Sequence, residues 1–336
     1  MRAATKVRGS AARAGEHISM DLAEAEVLRA QTLVRHLLGA DITKALAASD
    51  TVEVMLNPDG VIWHERLGHH QEPIGRLDPA SAMALASALA GTVGKKLTRE
   101  TPYVETELVL DGSRVSVQVP PIVPAPALTI RKHASAVFTF DQYVESEIMS
   151  EPQANVLRQA VESHKNILVV GGTGSGKTTL INAIIGEVTR VRPDARCLLI
   201  EDTTELQCSA KNAPRYRTSE HVSMQQLVRI SLRMRPDIIF VGEIRGPEAL
   251  DLLDCWATGH RGGATSIHGD SAEIGISRLV LNVSRNPLAP KPIEPLVPQA
   301  VDIIVNIQRV AQGRRVKEIL SLTGYSNGKF SFERLA

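Results

Sequence analysis

The sequence predicts two domains, an α+β domain over residues 21–131 and an α/β domain with a mainly parallel sheet over residues 151–336. Before residue 131, helical patterns alternate with hairpin patterns, which is typical of an α+β domain. After residue 150, short continuous apolar stretches alternate with helical patterns, which is typical of parallel strands covered by helices on both faces. A chain of 336 residues is long enough for each domain to bury its own core.

Composition and charge limit the classes of function. Lysine plus arginine number 38 against 37 acidic residues, for a net charge of +1, so the chain as a whole has no bias toward nucleic acid. No apolar run reaches the length of about 18 residues that a transmembrane helix needs. The three cysteines are scattered and lack a CxxC spacing, which favours reduced thiols in the cytoplasm over a zinc site or disulfides.

The first residues combine small side chains with four basic ones, Arg2, Lys6, Arg8 and Arg13. Because no apolar segment follows them, residues 1–20 are predicted to be a flexible basic tail and not a signal peptide. The alternative for this tail is contact with an acidic lipid surface or with a partner protein.

The first domain alternates helical and hairpin patterns, with a helix break near Gly39. One hairpin turns between Asn57 and Gly60 and the other at Asp111-Gly112, and both turns contain residues that tight turns favour. In chain order the predicted elements are helix 21–48, strands 52–56 and 61–64, helix 79–97, and strands 107–110, 114–119 and 128–131.

Residues 132–150 lack strong periodicity and are the predicted linker. The α/β pattern follows the linker, and the chain ends in a predicted β-pair around Gly313. The strands predicted after the linker are 166–170, 197–200, 237–241, 264–267, 301–307 and 316–322, with helices 177–188, 224–234, 246–256 and 272–283.

The most specific motif joins the first of these strands to the helix that follows it. The sequence GGTGSGKT fits G-x-x-x-x-G-K-[ST] at every fixed position. Its glycines let backbone N–H groups surround phosphate oxygens, and the N-terminal end of the helix adds positive charge. Lys177 is expected to reach the β- and γ-phosphates of ATP, and Thr178 to ligate Mg²⁺. The predicted ATP-binding residues here are Gly171, Gly172, Thr173, Gly174, Ser175, Gly176, Lys177, Thr178 and Thr179.

Acidic residues follow the second and third strands of this domain. Parallel strands bring their C-terminal ends to one edge of a sheet, where ligands bind. Glu201, Asp202 and Glu205 follow the second strand and Glu243 follows the third, so these carboxylates are expected near Mg²⁺ and the γ-phosphate. One carboxylate can orient the attacking water and another can hold a water on the metal. The sequence leaves open which of Glu201, Glu205 and Glu243 is the base.

Two histidines flank the fourth strand, with His260 before it and His268 at its end. They do not form a zinc site by spacing, because a third ligand is missing. Each is either a buried, hydrogen-bonded side chain or a residue of the nucleotide site. At the edge that carries the phosphate loop, His268 can sense the γ-phosphate and relay its loss, and His260 is taken as a second nucleotide-site residue.

Four stretches, in this order, resemble the secretion ATPase superfamily, which comprises the hexameric motors of type IV secretion and conjugation, type II secretion and type IV pili. GGTGSGKTT is similar to its Walker A motif, LLIEDTTEL to its Asp box, RPDIIFVGEIRG to its Walker B region and TGHRGGATSIHGDSA to its His box. Within the superfamily, the chain resembles the conjugative ATPases. It departs from many relatives at GDSA in the His box and at TTELQC after the Asp box.

The resemblance implies a PAS-like N-terminal domain that packs over a nucleotide held by a RecA-like C-terminal domain. It also implies that Arg114 and Arg131 approach the phosphates, whereas arginines at strand ends are by default solvated surface residues. Arg245, two residues after Glu243, remains open between an arginine finger that acts on a neighbouring subunit and a local ion-pair partner.

The resemblance further implies a cytoplasmic ATPase that forms a homohexameric ring and contacts inner-membrane and cytoplasmic components of a conjugation machine, with peripheral contact to the membrane. One alternative is a type IV pilus or type II secretion motor, which shares all four motifs. Another is a RecA-like nucleic-acid-dependent ATPase or helicase. The near-neutral charge and the few aromatic residues argue against direct DNA binding.

Overall fold

The structure is a computed structural model that describes residues 4–132, 137–311 and 313–336, with side chains from residue 25 onward. The chain divides into two compact units, Met1–Ser135 and Ala136–Ala336. This division lies inside the predicted linker, of which residues 133–136 are outside the described residues. Residues 137–150 belong to the second unit, so the linker is shorter than the sequence predicted.

The first unit begins with a helix, α1 (Ala4–Ala47), that is broken at Gly39, whose φ of 71° is left-handed. The predicted break is therefore confirmed, because glycine adopts this backbone conformation without the strain that a Cβ adds. The backbone is already helical from Ala4, where a flexible tail was predicted. The prediction underestimated the helical preference of a segment that is rich in alanine and free of proline.

After α1, the first unit contains β1 (Thr51–Leu56), β2 (Val61–Arg66), β3 (Glu72–Arg76), α2 (Pro79–Gly91), β4 (Tyr103–Glu107), β5 (Arg114–Gln118) and β6 (Ala127–Arg131). These six strands form one sheet in the spatial order β3-β2-β1-β6-β5-β4, with every neighbouring pair antiparallel. Buried apolar side chains of α1, α2 and the strands form one core cluster.

The second predicted hairpin is present, but its first strand lies three to four residues earlier in the chain than the predicted strand 107–110. The strand ends at Glu107, and Leu108 N–H donates to Ser113 O at 2.7 Å to close a wider loop. Gly112 has a φ of 76° inside this loop. The apolar residues 108–110 suggested a strand, whereas the buried Leu108 anchors the loop in the core.

The second unit alternates strands and helices, as predicted, and its strands build an eight-stranded sheet. Residues 140–145, placed in the linker from the sequence, form a helix whose Phe140 and Tyr143 pack in the core of this unit. In chain order the elements are α3 (Phe140–Glu145), α4 (Glu151–Glu162), β7 (Ile167–Gly171), α5 (Lys177–Val191), β8 (Cys197–Glu201), β9 (Arg215–Arg217), α6 (Met224–Ser231), β10 (Ile238–Val241), α7 (Glu248–Ala257), β11 (Ala264–His268), α8 (Ala272–Ser284), α9 (Val297–Ala300), β12 (Ile303–Val310), β13 (Gly313–Ser326) and β14 (Lys329–Arg334).

The eight strands are ordered β14-β13-β12-β7-β11-β10-β8-β9. All pairs from β12 to β9 are parallel, and β13 and β14 extend the sheet antiparallel beyond β12. Two apolar clusters cover its two faces, which confirms the predicted mainly parallel sheet between helices. In the described part of the chain, no helix combines the length and apolar character that crossing a membrane requires.

Candidate nucleotide site

The phosphate loop lies between β7 and α5, with strands on both sides of β7. Gly171 ends β7, and a Cβ there would lie 2.4 Å from Ser175 Oγ and 2.5 Å from Ile307 O. Gly174 and Gly176 have left-handed φ values of 68° and 96°. The loop can therefore close around an anion only with glycine at these positions. No described side chain caps α5, whose N-terminal N–H groups thus remain available to a phosphate.

Lys177 is the first residue of α5 and is mostly buried. Its Nζ donates to Gly172 O at 3.0 Å and lies 3.5 Å from Nδ1 of His268. The ammonium group is thus already held against the loop that the sequence assigned to it. Thr178 and Thr179 are half-buried on the first turn of the same helix, and Thr173 is exposed in the loop.

His268 is at the phosphate loop because β11 pairs with β7 in a register that sets His268 opposite Gly171. Its Nε2 lies 2.9 Å from Oε1 of Glu243, which follows the neighbouring strand β10. Burial and the nearby Lys177 charge lower the pKa of His268, and Glu243 opposes this effect without cancelling it. A neutral His268 with its proton on Nε2 can accept from Lys177 at Nδ1, while its Nε2 lies beside Glu243 without the alignment of a hydrogen bond.

Arg245 connects the ends of β10 and β8. Its Nε and Nη2 donate to Oε2 of Glu243 at 2.9 and 2.5 Å, and its Nη1 lies 3.5 Å from Oδ2 of Asp202. Burial lowers the pKa of this guanidinium, but the carboxylates of Glu243, Asp202 and Glu205 outweigh burial and raise it. Of the two readings left open, the structure has the local ion pair, and three predicted carboxylates converge on one cation.

Glu201 binds the backbone of the loop that follows β8. It is 4% exposed, and its Oε1 accepts from the backbone N–H groups of Glu205 and Leu206 at 2.7 and 2.6 Å. Burial raises the pKa of this carboxyl, and the two backbone donors partly offset the rise. Oε1 is thus occupied in holding the loop after β8, and the catalytic role expected of Glu201 stays a prediction.

His260 does not join the other predicted residues. It precedes the N-terminal end of β11, and the parallel register with β7 places the phosphate loop at the other end of the strand. The five residues of β11 separate the two edges by roughly 13 Å at 3.3 Å per residue. Within a single chain, the prediction that His260 lies at the nucleotide site is therefore wrong, because a strand places the residues that flank it at opposite edges of the sheet.

Arg114 and Arg131 belong to the first unit, where they are directly opposite each other on β5 and β6. Glu107 on β4 pairs with Arg114, and Glu53 on β1 pairs with Arg131. The two arginines therefore form the centre of a cross-strand row flanked by carboxylates. Their predicted approach to a phosphate stays a prediction.

Two residues at the site were missed from the sequence. Arg314 on β13 donates from Nε to Gly174 O at 3.2 Å, and its Cδ would be 2.9 Å from a Cβ at Gly176. Asn182, on α5, is fully buried and bonds the loop after β8. Arg314 is distant in sequence and matches no motif. Asn182 lies a few residues after the motif, and the only indication of its role in the sequence was that a polar residue interrupts the apolar run of α5.

The site has buried polar atoms that suit a charged ligand. Ser175 Oγ in the loop is buried and makes no hydrogen bond with the described residues, and the buried Oε1 of Glu243 lies 2.9 Å from Nε2 of His268 without a partner aligned for a hydrogen bond among them. Native proteins rarely leave such atoms without a partner unless a ligand, ion or water binds there. The donors of the loop fit triphosphate oxygens, and oxygen atoms of Thr178 and the carboxylates are of the kind that Mg²⁺ binds.

A glycine-rich loop between a parallel strand and a helix, with carboxylates at the ends of the neighbouring strands, defines a P-loop nucleotide-binding protein. Residues 81–314 match the family model described as type II/IV secretion system protein. The chain belongs to this family.

Individual relatives agree with this assignment. Conjugal transfer protein TrbB of Rhizobium radiobacter is 42% identical over 307 residues, which cover 90% of this chain and 94% of that protein. Type IV secretion system protein PtlH of Bordetella pertussis is 34% identical over 312 residues, covering 82% and 91%. The crystal structure of the pilus retraction motor PilT with bound ADP has a TM-score of 0.62 and 22% identity, and covers 85% of this chain and 83% of that one. This last likeness concerns the fold alone.

Proposed function

We propose that this chain is a Mg²⁺-dependent ATPase that powers a conjugative type IV secretion system. The observation that carries the proposal is the continuous series of contacts from the phosphate loop through Lys177 and His268 to Glu243. The names of its relatives, a conjugal transfer protein and a type IV secretion system protein, support conjugation over pilus retraction.

Hydrolysis follows from the roles of these groups. The loop N–H groups and Lys177 bind the β- and γ-phosphates, and Thr178 would hold Mg²⁺, which would supply positive charge at the phosphate oxygens. Glu243, whose buried Oε1 is 2.9 Å from His268 Nε2 without an aligned hydrogen bond, orients the attacking water, and Glu205 and Asp202 complete the acidic side of the site. His268, between Lys177 and Glu243, relays loss of the γ-phosphate from one to the other.

The output is domain motion in a homohexameric ring. The first unit acts as a PAS-like domain that closes over the nucleotide on the RecA-like second unit, with Arg114 and Arg131 near the phosphates. The linker predicted over residues 132–150 serves as the hinge. The ring is cytoplasmic, peripheral to the inner membrane, and docks on the membrane and cytoplasmic components of the secretion machine.

Phosphate release by the purified chain tests the enzymatic part. Wild type is expected to release phosphate from ATP with Mg²⁺, and Lys177→Ala to abolish turnover with its circular dichroism spectrum unchanged. Substantial turnover in that variant would contradict the assignment of the nucleotide site. Particle mass with and without ATP, measured on the same samples, tests the ring.

Plasmid transfer tests the biological part. In a donor that lacks the chain, wild type is expected to restore conjugation and Lys177→Ala to leave it defective. Restoration of a pilus-dependent phenotype without any effect on conjugation would favour the pilus-motor alternative instead.

A further inference from the structure

The segment that follows β8 is irregular, and its backbone is hydrogen-bonded to side chains of β8, α5 and β9. Five consecutive backbone groups, from the N–H of Glu205 to that of Gln207, each bond to one of three side chains. Glu205 N–H and Leu206 N–H donate to Glu201, Glu205 O accepts from Asn182, Leu206 O accepts from Arg215, and Gln207 N–H donates to Asn182.

Asn182 is the member of this set that belongs to the phosphate-loop helix. It lies on the second turn of α5, five residues after Lys177, and is 0% exposed. Its Nδ2 donates to Glu205 O at 3.0 Å and its Oδ1 accepts from Gln207 N–H at 2.8 Å. The two bonds bracket Leu206, which is buried in the core against the same face of the sheet. A buried amide with both groups paired fixes the segment to α5.

The segment carries a carboxylate to the nucleotide site. Glu205 is among the acidic groups that raise the pKa of Arg245, after burial lowers it, and Arg245 donates to Glu243. Glu205 lies at the same edge as Glu243, because its N–H donates to Glu201, the last residue of β8, and β8 pairs with β10. Its backbone is bonded through Asn182 to the helix that starts at the phosphate loop, so a displacement of α5 is transmitted to Glu205.

We propose that Asn182 is a positioning residue that holds the Glu205 carboxylate in place relative to the phosphate loop, an inference that rests on the proposed ATPase function. Effective catalysis requires groups to be placed within a fraction of an ångström of the reacting atoms. A loop without regular structure reaches this accuracy only when its backbone is bonded to rigid elements. Asn182 supplies that bond from the helix that also positions Lys177 and Thr178.

The test compares Asn182→Ala with Ser209→Ala. Asn182→Ala is expected to lower kcat about tenfold or more, because a small misplacement of a catalytic group has effects of this order. The KM for ATP and the affinity for a fluorescent ADP analogue should change less than about threefold, since α5 and the loop glycines are intact. Ser209→Ala removes a further bond between α5 and this loop, the one with the Thr189 hydroxyl at 3.1 Å, which is further along the chain from Glu205. It should keep kcat within about twofold of wild type.

A second variant keeps the test decisive if Asn182→Ala folds poorly. In Asn182→Asp, burial raises the pKa of the introduced carboxyl. The protonated form can donate to Glu205 O and accept from Gln207 N–H, as asparagine does, whereas the ionised form repels the Glu205 carbonyl. The ratio of variant to wild-type kcat should therefore rise toward one as the pH is lowered.

Two outcomes overturn the proposal. In one, Asn182→Ala keeps kcat within about twofold of wild type, or Asn182→Asp shows a constant ratio at all pH values. In the other, ADP affinity falls together with kcat, which would make Asn182 a support of the phosphate loop and not of Glu205. Absence of turnover in the wild-type chain would instead contradict the proposed ATPase function.

Discussion

The two edges of the eight-stranded sheet are both polar but differ in how their buried polar groups are satisfied. At the amino edge, Asn166 is fully buried; its Oδ1 accepts from Gly262 and Gly263 N–H, and its Nδ2 donates to Ala300 O. At the carboxyl edge, Ser175 Oγ is buried without a hydrogen bond from the described residues, and the buried Oε1 of Glu243 is 2.9 Å from His268 Nε2 but not aligned for a hydrogen bond with it.

This difference distinguishes buried polar groups that stabilise the fold from buried polar groups that are available to a ligand. A paired buried amide holds loops together, whereas an unpaired buried oxygen has a cost that only a ligand offsets. His260 and Trp256 are exceptions at the amino edge, because the buried Nδ1 of His260 and the buried Nε1 of Trp256, beside Gly263, make no hydrogen bond with the described residues. The following experiments test whether the distinction between the edges holds.

The largest effect is expected from Gly171→Ala. Its Cβ would be 2.4 Å from Ser175 Oγ and 2.5 Å from Ile307 O, so the loop must open. ATP affinity should fall at least about a hundredfold, since displacement by an ångström has effects of this size. Gly172→Ala is the matched control, because the nearest atom to its Cβ would be Asp270 Oδ1 at 3.8 Å. Binding of a fluorescent ATP analogue measures both, and equal losses in the two variants would contradict the geometry.

Glu243→Gln should have the next largest effect on turnover. The amide keeps the size of the side chain but removes the charge that orients the water, so kcat should fall about 10²–10³-fold. ATP affinity should stay within about threefold of wild type, because the loop and Lys177 provide the binding. Single-turnover phosphate release and equilibrium ATP binding separate the two quantities. A kcat near that of wild type would move the role to Glu205.

Asn166→Ala should affect stability and not chemistry. The substitution leaves two N–H groups and one carbonyl without their buried partner, which costs about 2–4 kcal/mol of the free energy of unfolding. Urea denaturation measures the loss, with Asn155→Ala, an exposed asparagine of α4, as a control expected within about 0.5 kcal/mol. The kcat per folded molecule should not change. A selective loss of kcat would show that the amino edge also takes part in turnover.

The pH dependence of turnover should reflect His268. Since burial and Lys177 lower its pKa, His268 is neutral at pH 7 and becomes protonated only below its ordinary value of about 6.5. Protonation removes the acceptor at Nδ1 that faces Lys177, so kcat should decline as the pH falls through this lowered pKa. A kcat profile from pH 5 to 8 measures the decline, and His268→Asn should lose it. An unchanged acid limb in the variant would assign it to another group.

His260→Ala should have the smallest effect. Because the sheet places His260 at the amino edge, kcat should remain within about threefold of wild type, and the same substitution at His268 should lower it further. Steady-state phosphate release compares the two variants directly. Equal losses would mean that an unpaired buried atom marks a functional residue at both edges, and the contrast between them would fail.

Much of this architecture was predictable because its causes are local. The break at Gly39, the hairpin turn before Val61 and the glycines of the phosphate loop follow from backbone conformations that few residues adopt. The parallel sheet follows from short apolar strands that alternate with helices. The helical backbone from Ala4 and the packed helix α3 were missed, because neither composition nor weak periodicity reveals what a segment packs against.

By itself, the sequence determined the phosphate loop, the order of the strands along the chain and the set of carboxylates that reach the ligand edge, since these depend on spacing and on local backbone chemistry. Only the tertiary structure decided which side chains perform which task. Glu201 and Glu243 both follow apolar strands, yet one binds backbone N–H groups and the other faces His268. The parallel register separated His260 from His268, and the fold brought Arg314 to Gly174 from β13. Such assignments depend on which unpaired groups become neighbours in space, and spacing along the chain does not contain that information.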